Sequence, residues 1–172
     1  VTKEKEVLSV AIKTFAAIYI GSYEVSLKVF ELSPKKQLRK IDYVRSRVEL
    51  GKDSFTKGII GYELVEELCQ VLKEFRRMMD GYQVADYRAY SSNVLRDVSN
   101  KLFVLDQILL RTGIEVGILS NSEHRFIGYK SLAVNPFFEK LIQEGAAVAD
   151  VGGGSMQITL FWKGKASTTQ QI

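Results

Sequence analysis

Ala147-Val148-Ala149-Asp150-Val151-Gly152-Gly153-Gly154-Ser155, followed by the alternating run Met156-Gln157-Ile158-Thr159-Leu160-Phe161-Trp162, decides how the rest of the chain is read. An apolar strand that ends in Asp, breaks at three glycines and returns as a second strand lets peptide N–H groups approach a phosphate, with a carboxylate beside them for a cation. A glycine-rich hairpin with a capping Asp has the same composition, so the loop alone leaves both readings open.

Working outward, the start of the chain repeats the pattern. Thr14 to Ile20 is a short apolar run stopped by Gly21-Ser22, and Tyr23 to Leu32 alternates Val25, Leu27 and Val29 with polar residues, as a half-buried antiparallel strand does. Ser33 to Lys36 makes a turn into a third, more exposed strand over 38–50. Lys52 to Gly61 reads as a loop. Tyr62 to Asp80 then carries Leu64, Leu68, Leu72, Phe75 and Met79 at helical spacing, with Gly81 as the stop. Val84 to Tyr90 is a strand ended by Ser91-Ser92-Asn93. A helix from Asn93 or Ser99 to Arg111, with Leu102, Leu105, Ile108 and Leu109 apolar, ends at Thr112-Gly113. Ile114 to Leu119 is a short buried strand, a helix follows with Ser122 as its N-cap, and Asn135-Pro136 opens another up to Glu144. A meander first and βαβ units afterwards imply an α/β fold, a mixed sheet with flanking helices. Strand ends at Gly21, Ser91-Ser92, Ser120-Asn121 and 150–154 would then converge on one ligand.

Composition excludes several classes. Of 172 residues 46% are hydrophobic and 26% charged, and no apolar run approaches the ~20 residues that cross a bilayer, so no membrane association is expected. Residues 1–13 read as a loose lead-in without a secretory leader, and 14–172 as one domain. The single cysteine, Cys69, cannot form an internal disulfide, which points to a reducing, cytoplasmic location. A net charge of +4 favours anionic ligands without calling for DNA or RNA. The basic set Lys35, Lys36, Arg39, Lys40, Arg45 and Arg47 fits the solvated face of a strand pair.

Three further positions carry possible chemistry. Glu123, in the first turn of a helix after a polar turn, would suit activation of water for attack on phosphorus, or simply the helix dipole. Its neighbour His124 is expected on another side of that helix, at the surface. Arg96, one helical turn past Ser92, would grip a phosphate or pair with Asp97.

Taken together, Ile20-Gly21-Ser22, Ser91-Ser92 with Leu95-Arg96, Gly113-Ile114-Glu115-Val116 then Leu119-Ser120 with Glu123, and Asp150 to Ser155 resemble the exopolyphosphatase and guanosine pentaphosphate phosphatase family. That family is a branch of the sugar kinase, actin and heat-shock chaperone superfamily. The resemblance runs from Phe15 to Lys163. It implies a ribonuclease H-like fold forming one half of an actin-like two-domain protein, and hence a fragment of a longer chain. It also implies a Mg2+-dependent phosphohydrolase acting on polyphosphate or guanosine pentaphosphate, homodimeric when whole. By the same resemblance Glu123 is the general base, Asp150 the Mg2+ ligand, and Gly21, Ser22, Ser92, Arg96, Gly152, Gly153, Gly154 and Ser155 bind phosphate. Two departures stand out: Tyr19 where the family has Asp, with Tyr23-Glu24 where it has Asn-Ser, and His124-Arg125-Phe126 where it has Glu-Ala-Arg. The first suggests an alternative, a regulatory module that binds polyphosphate or nucleotide without turnover, since a phenol is no hard-cation ligand at neutral pH. A nucleotide-dependent kinase shares the fold, but the Glu123 match argues against it.

Overall fold

The computed structural model describes residues 12–33 and 37–171. Most of the lead-in and the Pro34-Lys35-Lys36 turn lie outside these. The chain opens with β1 (Lys13–Ile20), β2 (Glu24–Leu32) and β3 (Leu38–Arg47), an antiparallel meander. β4 (Asp86–Ser91) then pairs parallel to β1, and the two-residue β5 (Gly117–Ile118) parallel to β4. The order β3-β2-β1-β4-β5 is the mixed sheet expected from the sequence. The buried strand read over Ile114 to Leu119 shrinks to the two residues of β5, which pair with Tyr90 and Ser91.

One face of this sheet is the core. Alternation turns Ala16, Ile18 and Ile20 of β1 and Val25, Leu27 and Val29 of β2 inward, all essentially inaccessible. Against them lies α2 (Tyr62–Gly81), which buries Val65, Leu68, Cys69, Leu72, Phe75 and Met79 at the expected period, with Leu64 only half-buried. Each such side chain contributes about 1.5–3 kcal/mol by leaving water. The helix runs through Gly81, and the left-handed residue is Gln83, at φ 51°. Next to α2 lies α4 (Lys101–Thr112), stopped by Gly113 at φ 68° as expected. It buries Val104, Ile108 and Thr112, while Leu102 and Leu109 face outward. Arg111 of α4 grips both carboxylate oxygens of Glu66 on α2.

Two stretches depart from the sequence reading. The third strand stops at Arg47, and Leu50 opens a helix, α1 (Leu50–Lys57), where a loop was expected. The helix is held by tertiary contacts rather than propensity: Leu50 is fully buried, and Asp53 reaches out to accept the Gly61 N–H at 2.8 Å, capping α2 from outside. The last strands, β6 (Ala146–Val151), β7 (Met156–Trp162) and β8 (Lys165–Gln171), form a separate antiparallel sheet in the order β6-β7-β8. Between the sheets run the four-residue α3 (Asn93–Arg96), α5 (Asn121–Ala133) and α6 (Phe138–Glu144). Phe161 anchors the second sheet, meeting Tyr129 of α5 and Phe138 of α6 edge to face at 5.2 and 5.8 Å. No helix among the described residues is long and apolar enough to cross a membrane.

The Asp53 carboxyl is held below its usual range, chiefly by Lys57 Nζ at 2.7 Å and then by the Gly61 amide. A depressed folded pKa stabilises the protein above the unfolded value and loses that contribution as pH falls through the folded one. Stability measured by urea unfolding should therefore drop more steeply below about pH 4 in the wild type than in Asp53→Asn. Parallel pH dependences for the two proteins would remove Asp53 from this role.

Candidate functional site

The C-terminal ends of β1, β4 and β6 and the start of α5 meet around a cavity of about 320 Å³. β1 delivers Gly21 and Ser22, β4 delivers Ser92, α5 delivers Asn121 and His124, and β6 delivers Asp150 with Gly152, Gly153 and Ser155. Ser91 Oγ donates to Ile20 O at 3.0 Å, and Leu119 N donates to Ser91 O at 2.8 Å, so these strand ends stay level. Asn93 Nδ2 reaches Ser155 Oγ at 3.4 Å, joining the two sheets across the cavity rim.

The two glycine turns lie directly on each other. A Cβ on Gly153 would sit 2.7 Å from the Tyr23 ring and 2.9 Å from Ser22 Cβ, and one on Gly154 would run into the Phe55 ring of α1. None of Gly152, Gly153 and Gly154 has positive φ, so close approach rather than an unusual backbone makes glycine necessary here. Within the turns Gly21 N donates to Glu24 O and Gly152 N to Ser155 O, each at 2.9 Å. The amides of Ser22, Tyr23 and Gly153 make no backbone hydrogen bond among the described residues and belong to the cavity wall.

Three of the residues singled out in the sequence are placed differently. Gly154 packs under Phe55 and is not part of the cavity wall. Arg96 is turned to Asp97, with two contacts of 3.0 Å, and to Asn121 Oδ1 at 2.5 Å. Glu123 folds back to cap α5: its Oε2 accepts from Ser120 N at 2.8 Å and from Ser120 Oγ at 2.7 Å, while Ser120 Oγ accepts the Glu123 N–H. The N-cap is thus Ser120 rather than Ser122, and the Ser120-x-x-Glu123 capping box was present in the sequence as a signal. The Ser120 N–H, followed by its hydroxyl, holds the Glu123 carboxyl below the ordinary range, which makes it a weaker base.

His124, expected at the surface, stands inside the site. Its ring lies parallel to that of Tyr19, with centroids 6.0 Å apart, its Nε2 is 3.3 Å from Tyr19 Oη, and its Nδ1 is 3.7 Å from Asp150 Oδ2. The Tyr19 hydroxyl also meets Ser92 Oγ at 2.8 Å. Burial raises the Tyr19 pKa against the lowering effect of the Ser92 bond, with Asp150 adding a smaller upward push, so the phenol stays neutral at physiological pH. β6 brings Asp150 beside the first turn of α5, so a position one residue round the helix from Glu123 meets the cavity.

The wall contains Asp150 and Glu24 and no lysine or arginine. No group of three metal-ligating side chains occurs among the described residues, and the cavity wall offers a cation the carboxylates of Asp150 and Glu24. That donor set fits Mg2+ only as a cation carried in on phosphate oxygens, the form in which Mg2+ keeps its water and takes one or two protein carboxylates.

The sequence model of the Ppx/GppA phosphatase family matches residues 29–170. The chain belongs to this family. Among solved structures it resembles the Aquifex aeolicus member of the Ppx/GppA family, at 25% identity and TM-score 0.75, covering 94% of this chain and 51% of that one. An exopolyphosphatase from Cytophaga hutchinsonii shares the fold at 22% identity and TM-score 0.81, covering 93% and 50%. A bifunctional 3-dehydroquinate synthase/phosphatase of Fusobacterium nucleatum is 24% identical over 155 residues, 84% of this chain and 22% of that protein. The chain therefore spans about half the length of the solved Ppx/GppA relatives. Its mixed sheet with flanking helices is the expected half of their actin-like arrangement.

Because Gly153 and Gly154 face different neighbours, their alanine variants should behave differently. Gly154→Ala collides with a partly exposed ring, and we expect a loss of about 1–3 kcal/mol that Phe55→Ala largely restores in the double variant. Gly153→Ala collides with Ser22 Cβ, which cannot rotate away, so Phe55→Ala should not rescue it. Urea unfolding of the wild type, the three single variants and the two double variants checks this, and additive losses for Gly154→Ala and Phe55→Ala would contradict the contact.

Proposed function

We propose that the protein is a Mg2+-dependent phosphohydrolase that releases terminal phosphate from inorganic polyphosphate or guanosine pentaphosphate by Glu123-assisted attack of water. The observation that carries this reading is the apposition of two glycine turns with free amides across a single cavity. Family membership supports phosphatase chemistry. In this mechanism the Ser22, Tyr23 and Gly153 amides hold phosphate oxygens and Ser92 and Ser155 add hydroxyl donors. Gly21 and Gly152 keep the two turns tight enough to present those amides, and Gly154 seats the second turn. Mg2+, when bound, offsets phosphate charge against Asp150 and Glu24 and polarises the scissile phosphoanhydride. Asp150 is its protein ligand, and Asn121 and His124 flank the entering chain. Glu123 accepts the water proton through Oε1, the oxygen that the capping box leaves free. Arg96 joins by exchanging Asp97 for phosphate.

A homodimeric whole protein in a reducing, cytoplasmic setting is part of the same proposal, and the burial of Cys69 suits it. Phosphate release should fall by about 10²–10⁴-fold in Glu123→Gln. An amide can still accept the Ser120 N–H, so the fold should persist. Unchanged release in that variant, with wild-type circular dichroism, removes Glu123 from the role.

A second reading is supported by Tyr19, whose neutral phenol occupies the space between Ser92, His124 and Asp150. Under it the cavity binds polyphosphate or nucleotide without turnover. Tyr19→Asp should then gain phosphate release over a silent wild type, whereas robust wild-type release that needs Mg2+ sinks this reading.

A further inference from the structure

The face of the five-stranded sheet turned away from α2 carries positive charge that the glycine-turn cavity does not use. Alternation points Phe15 and Ala17 of β1, Lys28 and Phe30 of β2 and Arg88 of β4 away from the core. Register then builds two rows across the strands, Tyr43-Lys28-Ala17-Arg88 and Lys40-Phe30-Phe15-Asp86, about 7 Å apart. Lys40 and Tyr43 reach the same face, three residues apart, because a β-bulge interrupts β3 between them. α5 and the β6-β7 pair stand over the Tyr19 and Tyr90 end of this face. The exposed Tyr43, Lys28, Lys40 and Arg88 mark the part left open.

Three cations gather on one ring there. Lys28 Nζ lies 4.9 Å, Lys40 Nζ 5.5 Å and the Arg45 guanidinium 5.5 Å from the centroid of Tyr43. Each gains from the ring, but they repel one another at separations that physiological salt, with a Debye length of about 8 Å, screens only in part. Arg45 has Glu24 at 3.7 Å. Lys28 and Lys40, and Lys13 two residues before Phe15, form no ion pair among the described residues. A net charge of +4 says little by itself; its concentration on one open face suits a chain of anionic groups.

Phe15 and Phe30 decide which chain. They are half-buried and directly opposite each other on adjacent strands, with the three lysines around them. An acidic peptide would use only the cations, whereas a single-stranded polynucleotide uses the rings as well, stacking its bases on them. Asp86, across from Phe15 and held by Arg88 at 2.9 Å, places an acceptor where a 2′-hydroxyl would lie, a group that RNA has and DNA lacks. We propose that this face binds single-stranded RNA, with bases on Phe15 and Phe30 and phosphates on Lys13, Lys28, Lys40 and Arg45. The site is independent of the glycine turns and of the phosphohydrolase reading.

The test follows binding of the full chain, by fluorescence anisotropy across a salt series, to an unstructured RNA of about ten nucleotides without terminal phosphates. The DNA of the same sequence and a polyglutamate peptide of equal charge are run beside it. Four phosphate contacts give a slope of log affinity against log salt of about −3, and Lys28→Gln and Lys40→Gln should each reduce it by about 0.7. Phe30→Leu keeps apolar bulk without a π-face and should weaken RNA at least fivefold while leaving polyglutamate unchanged. RNA should bind at least threefold more tightly than the DNA, and inorganic phosphate at constant ionic strength should not displace it. Polyglutamate binding as tightly as RNA overturns the proposal in favour of an acidic protein partner, and equal affinity for the DNA overturns the assignment to RNA. Displacement by inorganic phosphate would move the RNA to the glycine turns and overturn the sheet-face site, as would unchanged salt slopes in both lysine variants.

Discussion

Everything in the site depends on the close approach of two glycine turns, which leaves no room for a side chain on the second of them. Gly153 lies against Ser22 and Tyr23, Gly154 under Phe55, and Gly51 at the start of α1 against Ser22 and Phe55. The first turn is fixed from below, where Gly51 N donates to Ser22 O at 2.8 Å and Val48 N to Tyr23 O at 3.1 Å. α1 therefore acts as a seat: its N-terminus holds one turn by hydrogen bonds and its Phe55 ring holds the other by contact. A side chain at Gly153 or Gly154 would overlap its neighbours, so the two turns could not keep this spacing without a local shift.

How much of this was legible in the sequence follows from which signals are periodic. Strands β1 and β2 and helix α2 announce themselves because one face of each is buried, and burial at a period of 2 or 3.6 leaves a pattern. α1 leaves none: Leu50-Gly51-Lys52-Asp53-Ser54-Phe55-Thr56-Lys57 contains Gly, Asp and Ser, and its helicity comes from the buried Leu50 and from Asp53 pairing with Lys57 and Gly61. In α4 the apolar residues run all round the helix, so Leu102 and Leu109 competed with Val104 for the buried stripe and composition could not choose. The separate second sheet was also invisible, since an antiparallel hairpin reads the same whether it extends a sheet or starts one.

Within the site, the convergence of Gly21, Ser22, Ser92, Asp150, Gly152, Gly153 and Ser155 on one cavity was readable because they fall at the ends of separate strands. The exchange of places between Glu123 and His124 was not. Direction along a helix was judged from α5 alone, as if water lay on every other side. The capping box draws Glu123 back towards Ser120, and β6 brings Asp150 within 3.7 Å of His124, so the imidazole ends up in the cavity wall. The Ser120-x-x-Glu123 spacing would have flagged half of that outcome; the other half is tertiary.

The electrostatics of the cavity wall combine two opposing contributions. Peptide dipoles at the two turns favour an anion, yet the side chains around them are Asp150 and Glu24 without a lysine or arginine. Arg96, the nearest candidate, is already engaged by Asp97 and Asn121. On the phosphate-binding reading proposed above, a bare phosphate would gain from the amides and lose to the carboxylates, so its occupancy would depend on a divalent cation carried on its oxygens. Tyr19, kept neutral by burial, adds no charge to this wall and offers its hydroxyl to Ser92 and His124. A carboxylate at position 19 would add a cation donor beside Asp150 that the phenol does not supply.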